Sequence, residues 1–501
     1  MATAEAERAA APASAEGPLV LAIDQGTSAT KAVVVDTAGA IVARGSVPLA
    51  QAHPRPGWAE QDAEEIWASA QASVAACLGG VDPGRVVAVG LSTQRESMVL
   101  WERGTGRPVG PLLGWQDGRG APLCAQLRER GSGDRVRSLS GLPLDPMFSS
   151  TKATWLLDTY DPDRSRSSRG ELCLGTVDSW LLARLGGEHL VESGNASRTQ
   201  LLDLSTGQWD PWLLDLFRVP VEALPRVVSS AGPFTPAAGL PALPSSVPVT
   251  AVLGDSHAAL FAHAGWRQGQ VKATYGTGSS VMGLTDKQSA GSAGLCRTIA
   301  WNITEPRFAL EGNIRSSGAT LTWLARLFGT QPADLAGRAA TTSDGVHLVP
   351  AFSGLGAPWW DDAAVAVLDG MSFGTGPEHL ARAALESIAF QIEDVVAEIE
   401  REAGPVETVL ADGGPTSNNT LMQLQADTSG RLVARALARD LSALGAAHAA
   451  GLSAGVWTWN DLESLTRDRQ PFTPREDADS RTHRVTGWHQ AVARSRLAAT
   501  S

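Results

Sequence analysis

At 501 residues, with 43% apolar and 19% charged side chains, the chain has material for two or more globular domains and ample core. Its formal charge of −12 argues against sequence-independent nucleic-acid binding, which needs a basic footprint, so an anionic ligand has to be met by local dipoles and a metal. The four cysteines, Cys77, Cys124, Cys173 and Cys296, are scattered without a C-x-x-C pair, which speaks for reduced thiols and against a disulfide scaffold or zinc site. No run of 18 or more apolar residues occurs, so no membrane span is expected, and the setting expected is the cytoplasm.

Residues 1–17 are Ala-rich and weakly charged, lack the plan of a signal peptide, and read as a disordered tail. Leu19 to Arg44 then reads as a β-meander: Leu19-Val20-Leu21-Ala22-Ile23, Ala32-Val33-Val34-Val35 and Ala40-Ile41-Val42-Ala43, separated by Asp/Gly turns. Apolar runs without alternation predict strands buried on both faces. The first turn, Asp24-Gln25-Gly26-Thr27-Ser28, has two readings. It is an ordinary tight hairpin, or it is a phosphate cradle, in which Gly26 frees the backbone, the hydroxyls of Thr27 and Ser28 join an anion nest, Lys31 meets phosphate as a point charge, and Asp24 holds Mg²⁺ through its water shell.

The Pro54-to-Trp58 loop leads to a helix capped by Asp62 with Glu65 as capping-box partner. Val86 to Leu91 is the next buried strand. Beyond its carboxyl end, where α/β sheets bind ligands, stand Arg95 and Glu96, either site residues or a surface ion pair. Leu112 to Asp117 is another strand end, carrying Trp115. Helices are expected from Met147 through Leu157 and from Val177 to Leu185. The Pro/Ser-rich stretch 225–250 reads as surface connection near a domain boundary. Thr250-Ala251-Val252-Leu253 and Gly254-Asp255 then put Asp255 at a helix entrance, as a cap or as a site carboxylate.

Half a chain after the first turn, Val271 to Met282 repeats strand, Gly276-Thr277 turn, strand. Two such hairpins are what a nucleotide held by two related domains requires, and no P-loop motif competes. Helices follow from Gly318 to Phe328 and from Pro377, where Leu380, Ala384, Ile388, Ile392, Val395 and Ile399 share a face. Thr408-Val409-Leu410 ends in Asp412-Gly413-Gly414, and Asn418 and Asn419 open the next helix. The segment after Leu441 is an Ala/Gly-rich helix suited to close packing.

Pro56-Gly57-Trp58-Ala59-Glu60-Gln61-Asp62 with Trp67, Met147 to Asp158, Gly370-Met371 with His379-Leu380 and Ala384-Leu385-Glu386, and Gly354-Leu355-Gly356-Ala357-Pro358 occur in one order with Gly254-Asp255, Tyr275-Gly276-Thr277-Gly278 and Asp412-Gly413-Gly414. Over nearly all of residues 19–460 the chain thus resembles the FGGY family of carbohydrate kinases, most closely its glycerol kinase branch. The resemblance implies an α/β fold of two ribonuclease-H-like (actin-like) domains with a central nucleotide and substrate cleft. The expected division is 18–251, for the acceptor and the phosphate hairpin, and 252–501, for ATP. It implies ATP and Mg²⁺ as cofactors and a small polyol or sugar as substrate. Partners among nucleic acids or membranes are not expected; homo-oligomers occur in the family.

By that resemblance Asp255 matches the catalytic base, and Arg95, Glu96 and Trp115 the grip on the alcohol. Asp24 matches the metal-side aspartate. Thr27, Ser28 and Lys31, then Gly276, Thr277, Gly318, Gly414 and Asn418, stand around ATP. Three acceptor-side positions depart from the glycerol kinase pattern: Met147 stands for Tyr, Ser256 for Gln and Ser280 for Phe. They point to an acceptor larger than glycerol. A ketopentose kinase of the xylulose type and a non-catalytic nucleotide-binding scaffold stand as alternatives.

Overall fold

The computed structural model describes residues 17–286 and 293–497. The expected tail lies outside these residues except for Gly17, whose carbonyl accepts from Arg85 Nε at 3.0 Å. The chain divides into two compact units. The first holds the residues up to Ala264, then Arg297–Phe308 and Asp440–Thr466; the second holds Gly265–Cys296, Ala309–Arg439 and the residues from Arg467 on.

In the first unit a five-stranded sheet runs in the order Val249–Gly254, Val86–Thr93, Leu19–Gln25, Ala29–Val35, Ile41–Pro48. The last three form the antiparallel meander, and the first two join Leu19–Gln25 in parallel. Leu19 to Ile23 are all buried because both faces of the sheet are covered. The helix Ala63–Leu78 packs on the meander. Its cap is Asp62, whose carboxylate accepts from the Glu64 amide at 2.8 Å, not from Glu65 as the capping-box pattern suggests. The helix Leu441–Ser453 packs on the central strands and on the helix Asp255–Ala262. Its small residues allow this: a Cβ on Gly445 would lie 1.8 Å from the Ala258 carbonyl oxygen.

The strand Val249–Gly254 pairs with Val86–Thr93, after a register shift between Val249 and Ala251, as far as Gly254 opposite Thr93, so the expected boundary at 251/252 falls inside a paired strand and the unit continues to Ala264. Nor is 225–250 a surface connection. Ala237, Leu240, Leu243 and Val247 are buried in the cluster beneath the sheet, because the prolines bend a chain that turns these residues inward while Pro241, Pro244, Ser245 and Ser246 stay exposed.

A polar knot lies under this unit. Glu192 accepts from the amides of Gly194 (2.7 Å) and Asn195 (2.9 Å) and from Ser230 Oγ (2.5 Å), while Asp178 accepts from the Glu192 amide (2.9 Å) and Thr176 Oγ1 (2.5 Å). Both are buried, and burial pushes Glu192 up to about 7 and Asp178 to about 6, against the pull of these hydrogen bonds. Because the folded state raises both values above the unfolded ones, this contribution to stability is greatest below about pH 4 and declines as the pH rises through 6 to 7. Glu192→Gln is expected to flatten that decline, read from denaturant midpoints between pH 5 and 8; an unchanged slope would contradict it.

In the second unit the antiparallel hairpin Gln270–Tyr275 and Ser279–Thr285 is extended by the parallel strands Thr408–Asp412 and Leu432–Ala436, with Arg469–Phe472 antiparallel at the far edge. The helix Pro377–Ala403 buries Ala384, Ile388, Ile392, Val395 and Ile399 against this sheet and the helix Asn419–Ser429. Each unit therefore has a Gly-Thr hairpin next to a parallel strand that ends in polar or glycine residues.

Candidate active site

The first Gly-Thr turn closes with the Gly26 amide donating to the Ala29 carbonyl at 3.1 Å. Gly26 does not have a positive φ, and a Cβ there would only touch Ala29 O at 3.4 Å, so the turn does not demand glycine for its conformation. Ser28 is exposed and Thr27 half-buried. Gln61 Nε2 donates to the Thr27 carbonyl at 2.9 Å, and the indole N–H of Trp115 donates to Thr27 Oγ1 at 3.0 Å. The Trp115 ring, 36% exposed, is thus set against the Gly26-Thr27 hairpin by a hydrogen bond.

Lys31 is engaged elsewhere. Its Nζ donates to Asp440 Oδ1 at 2.8 Å, and Arg44 Nε meets Asp440 Oδ2 at 3.3 Å. Burial pulls the Lys31 ammonium down, but the Asp440 hydrogen bond together with the charges of Asp440 and Asp24 holds the group above its ordinary value. In this structure Lys31 thus clamps the meander to the residue that precedes the helix Leu441–Ser453.

Asp24 ends its strand with Oδ1 accepting from Ser92 Oγ at 2.8 Å. Burial raises it to about 6; the Ser92 hydrogen bond opposes this and the charge of Asp255 adds to it. A carboxylate held up by desolvation beside a second carboxylate gains from a divalent cation, and the pair fits Mg²⁺, which takes one or two carboxylates and completes its shell with water and phosphate. Among the described residues no group of three or more His, Cys, Asp or Glu gathers as zinc requires, whereas Mg²⁺ needs only one or two carboxylates from the protein.

Asp255 is the first residue of the helix Asp255–Ala262, after Gly254 in the cap position. Its Oδ1 accepts the Ser256 amide at 2.6 Å and lies 3.3 Å from Arg95 Nε, with 38% of the side chain exposed. The carboxylate is thus more than a cap, since it faces a guanidinium from another strand end. Arg95 also reaches Glu96 (Nε to Oε1, 3.9 Å) and His257 Nε2 (3.5 Å). Arg95 and Glu96 are only 6% and 4% exposed, which rules out a surface ion pair. Glu96 sits at φ 60°, a left-handed conformation uncommon outside glycine, and Arg198 Nε donates to its Oε1 at 2.5 Å. Arg198, fully buried, was not legible as a site residue in the sequence. Ser149 Oγ donates to the Glu96 carbonyl at 3.0 Å. The first unit therefore gathers Asp24, Thr27, Arg95, Glu96, Trp115 and Asp255. Ser256, half-buried, follows Asp255, and Met147 stands in the turn before the helix Ser149–Tyr160.

In the second unit the amides of Ser317 and Ala319 donate to the Thr277 carbonyl at 2.9 and 3.0 Å, and the Gly318 amide to the Gly276 carbonyl at 2.9 Å. The start of the helix Gly318–Leu327 is so bound to the hairpin, and a Cβ on Gly318 would lie 2.6 Å from Gly276 O. Glycine here serves the docking of hairpin and helix. Gly414 opens the short 3₁₀ turn Gly414–Ser417 with open space where a Cβ would be, which suits a flat ligand against the backbone. The Asn418 Oδ1 caps the helix Asn419–Ser429 by accepting from the Leu421 amide at 3.0 Å. Ser280 Oγ donates to Oε1 of the buried Glu311 at 3.1 Å.

A Gly-Thr hairpin in each unit and, in the first, a carboxylate fit for Mg²⁺ beside Arg95, Glu96, Trp115 and Asp255 are in keeping with a phosphotransferase acting on hydroxyl groups. Residues 19–262 match the N-terminal domain of the FGGY family of carbohydrate kinases and residues 271–454 its C-terminal domain, and the chain belongs to that family. It is 40% identical to the glycerol kinase of Halorhodospira halophila over 95% of this chain and 96% of that one. It is also 40% identical to the apulose kinase of Pectobacterium atrosepticum, over 96% and 99%. Among solved structures, Plasmodium falciparum glycerol kinase with ADP superposes with a TM-score of 0.89 at 28% identity, covering 96% of this chain and 98% of that one. The ligand-bound xylulose kinase of Lactobacillus acidophilus shares the fold, with a TM-score of 0.84 at 20% identity over 95% and 97%. The fold is the actin-like one expected. The reaction class is ATP- and Mg²⁺-dependent phosphorylation of a polyol or sugar, and neither the xylulose-type nor the scaffold alternative is favoured. No helix of the described residues is long and apolar enough to cross a membrane.

Proposed function

We propose that the chain phosphorylates a hydroxyl of a four- or five-carbon polyol or sugar, with glycerol a poor substrate. The carrying observation is the pair of buried groups, Arg95 and Glu96, beside the half-exposed Asp255. Arg95 and Glu96 grip neighbouring hydroxyls, one donating and one accepting, while Trp115 covers the carbon face. Asp255 accepts the proton of the attacking hydroxyl. ATP brings the phosphoryl group and Mg²⁺ spreads its charge; phosphoryl transfer then asks the protein mainly for positioning. Asp24 stands on the metal side, Thr27 and Ser28 at one phosphate hairpin, and Gly276 and Thr277 at the other. Gly318, Gly414 and Asn418 would border the nucleotide in the second unit, and Lys31, which meets Asp440, would stand near the phosphates in the first.

Acceptor size rests on Met147, Ser256 and Ser280. The Ser280 hydroxyl turns to Glu311 in its own unit, so no aromatic wall stands at that position. Met147 brings a flexible thioether in place of a phenol. Equal identity to a glycerol kinase and to an apulose kinase leaves room for either size of acceptor. The test compares kcat/KM for glycerol, erythritol, xylitol, xylulose and apulose, followed by acceptor-dependent ADP release. A larger acceptor is expected to lead, and Ser280→Phe to shift preference toward glycerol by roughly tenfold, or about 1.4 kcal/mol. Preference for glycerol by more than tenfold in the unaltered chain overturns the reading.

A further inference from the structure

The side chain of Lys152, on the first turn of the helix Ser149–Tyr160, is fully buried and curls back on its own N-terminus. Its Nζ donates to three successive carbonyls, Pro146 at 2.8 Å, Met147 at 2.6 Å and Phe148 at 3.3 Å. An ammonium has three donors, so this crown employs all of them. The same turn is held from its other side: Asp145 Oδ1 accepts the Met147 amide at 2.8 Å. One residue into the helix, Ser149 holds the Glu96 carbonyl. A buried cation is costly where an apolar side chain would fill the volume, and it is tolerated only where its interactions are well made.

We propose that Lys152 is a positioning residue for the acceptor site, fixing the turn that carries Met147 and, through the first helical turn, the backbone of Glu96. This rests on the reading of Met147 and Glu96 as acceptor-side residues. The crown has a titratable keystone. Burial pushes the Lys152 ammonium down to about 8, and the charges of Glu96, Asp117, Asp145 and Cys124, which face it, keep it from falling further. Losing the proton leaves two N–H groups for three carbonyls and turns a lone pair toward one of them. The acceptor grip therefore loosens as the pH rises through 8, whereas the nucleotide residues of the second unit do not depend on this turn.

The experiment measures KM for the acceptor and for ATP, with kcat, from pH 7 to 10 in the full chain, in Lys152→Met, in Lys152→Arg and in Glu96→Gln, using the best acceptor of the panel above. Lys152→Met is expected to raise acceptor KM roughly tenfold at pH 7.5 while ATP KM and kcat stay within about threefold, the signature of lost binding at one substrate only. Lys152→Arg does not rescue it, because a planar fork does not converge on three carbonyls. In the unaltered chain acceptor KM climbs above pH 8 and ATP KM does not; in Lys152→Met the climb is absent. Should Lys152→Met fail to fold, the pH profile of the unaltered chain decides alone. A flat acceptor profile, or equal losses for ATP and acceptor, overturns the proposal. Glu96→Gln separates the two layers: if it leaves acceptor KM unchanged the acceptor reading falls, and if it raises KM where Lys152→Met does not, only the role of Lys152 falls.

Discussion

Asp255→Asn is expected to lower kcat by roughly 10²–10⁴, the usual range for losing a general base, while leaving ATP affinity within about twofold. The amide keeps the size of the carboxylate and can still accept the Ser256 amide hydrogen bond, so the start of the helix Asp255–Ala262 persists. What it loses is the ability to take a proton and the charge that faces Arg95 at 3.3 Å. The second loss bears on acceptor binding, since Arg95 then keeps Glu96 and His257 nearby but loses the carboxylate at 3.3 Å. A rise in acceptor KM of a few fold should therefore accompany the fall in kcat. Single-turnover rates separate the two, because saturating acceptor restores binding and not proton removal. An Asp255→Asn variant that keeps more than a tenth of the original kcat would take Asp255 out of the proton path.

The parts of this site that were legible in the sequence are those whose chemistry is local. A buried strand, a Gly-Thr turn and a second strand lie within a dozen residues, and their apolar runs and turn residues are enough to place both hairpins. Gly254-Asp255 was legible as a helix entrance for the same reason, although one residue of context left its carboxylate open between cap and base. The missed contacts are long-range. Glu96 and Arg198 are 102 residues apart, and Lys31 and Asp440 are 409 apart. Nothing in the neighbourhood of Lys31 distinguishes a lysine that meets phosphate from one that meets a distant aspartate. Lys152 stood inside a quoted motif without a role, since the side chain's return onto its own helix start is a matter of three-dimensional packing. The stretch 225–250 misled through composition: prolines and serines mark bends, and bends occur beneath a sheet as well as on a surface. The domain boundary illustrates the same limit, because the helix Leu441–Ser453 joins the first unit from a position late in the chain, where the Ala258 backbone against Gly445 and the Trp457 ring against Gly451 explain its glycines.

Arg198→Met should lower the stability of the first unit by about 3 kcal/mol, the lower end of what removal of one partner from a buried ion pair costs. The lower end applies because Glu96 does not stand alone afterwards. Arg95 remains 3.9 Å away, and Lys152 lies close enough for the two charges to influence one another. Their geometry is poorer than the 2.5 Å contact from Arg198, so part of the loss persists. Arg198 also follows the turn that Glu192 caps, which fixes where the guanidinium emerges and leaves no slack for Glu96 to follow a shorter partner. The double variant Glu96→Gln with Arg198→Met removes both charges and is expected to recover at least half of the lost stability. It should not recover acceptor binding, because the acceptor then faces an amide where it needs a carboxylate in the left-handed position at φ 60°. Denaturant midpoints and acceptor KM, measured on the two single variants and the double, read these two quantities independently. Stability that falls by less than about 1 kcal/mol in Arg198→Met would mean that the interior screens this pair as a surface does. Recovery of acceptor binding in the double variant would mean that Glu96 serves the fold and that Arg95 and Asp255 alone hold the substrate.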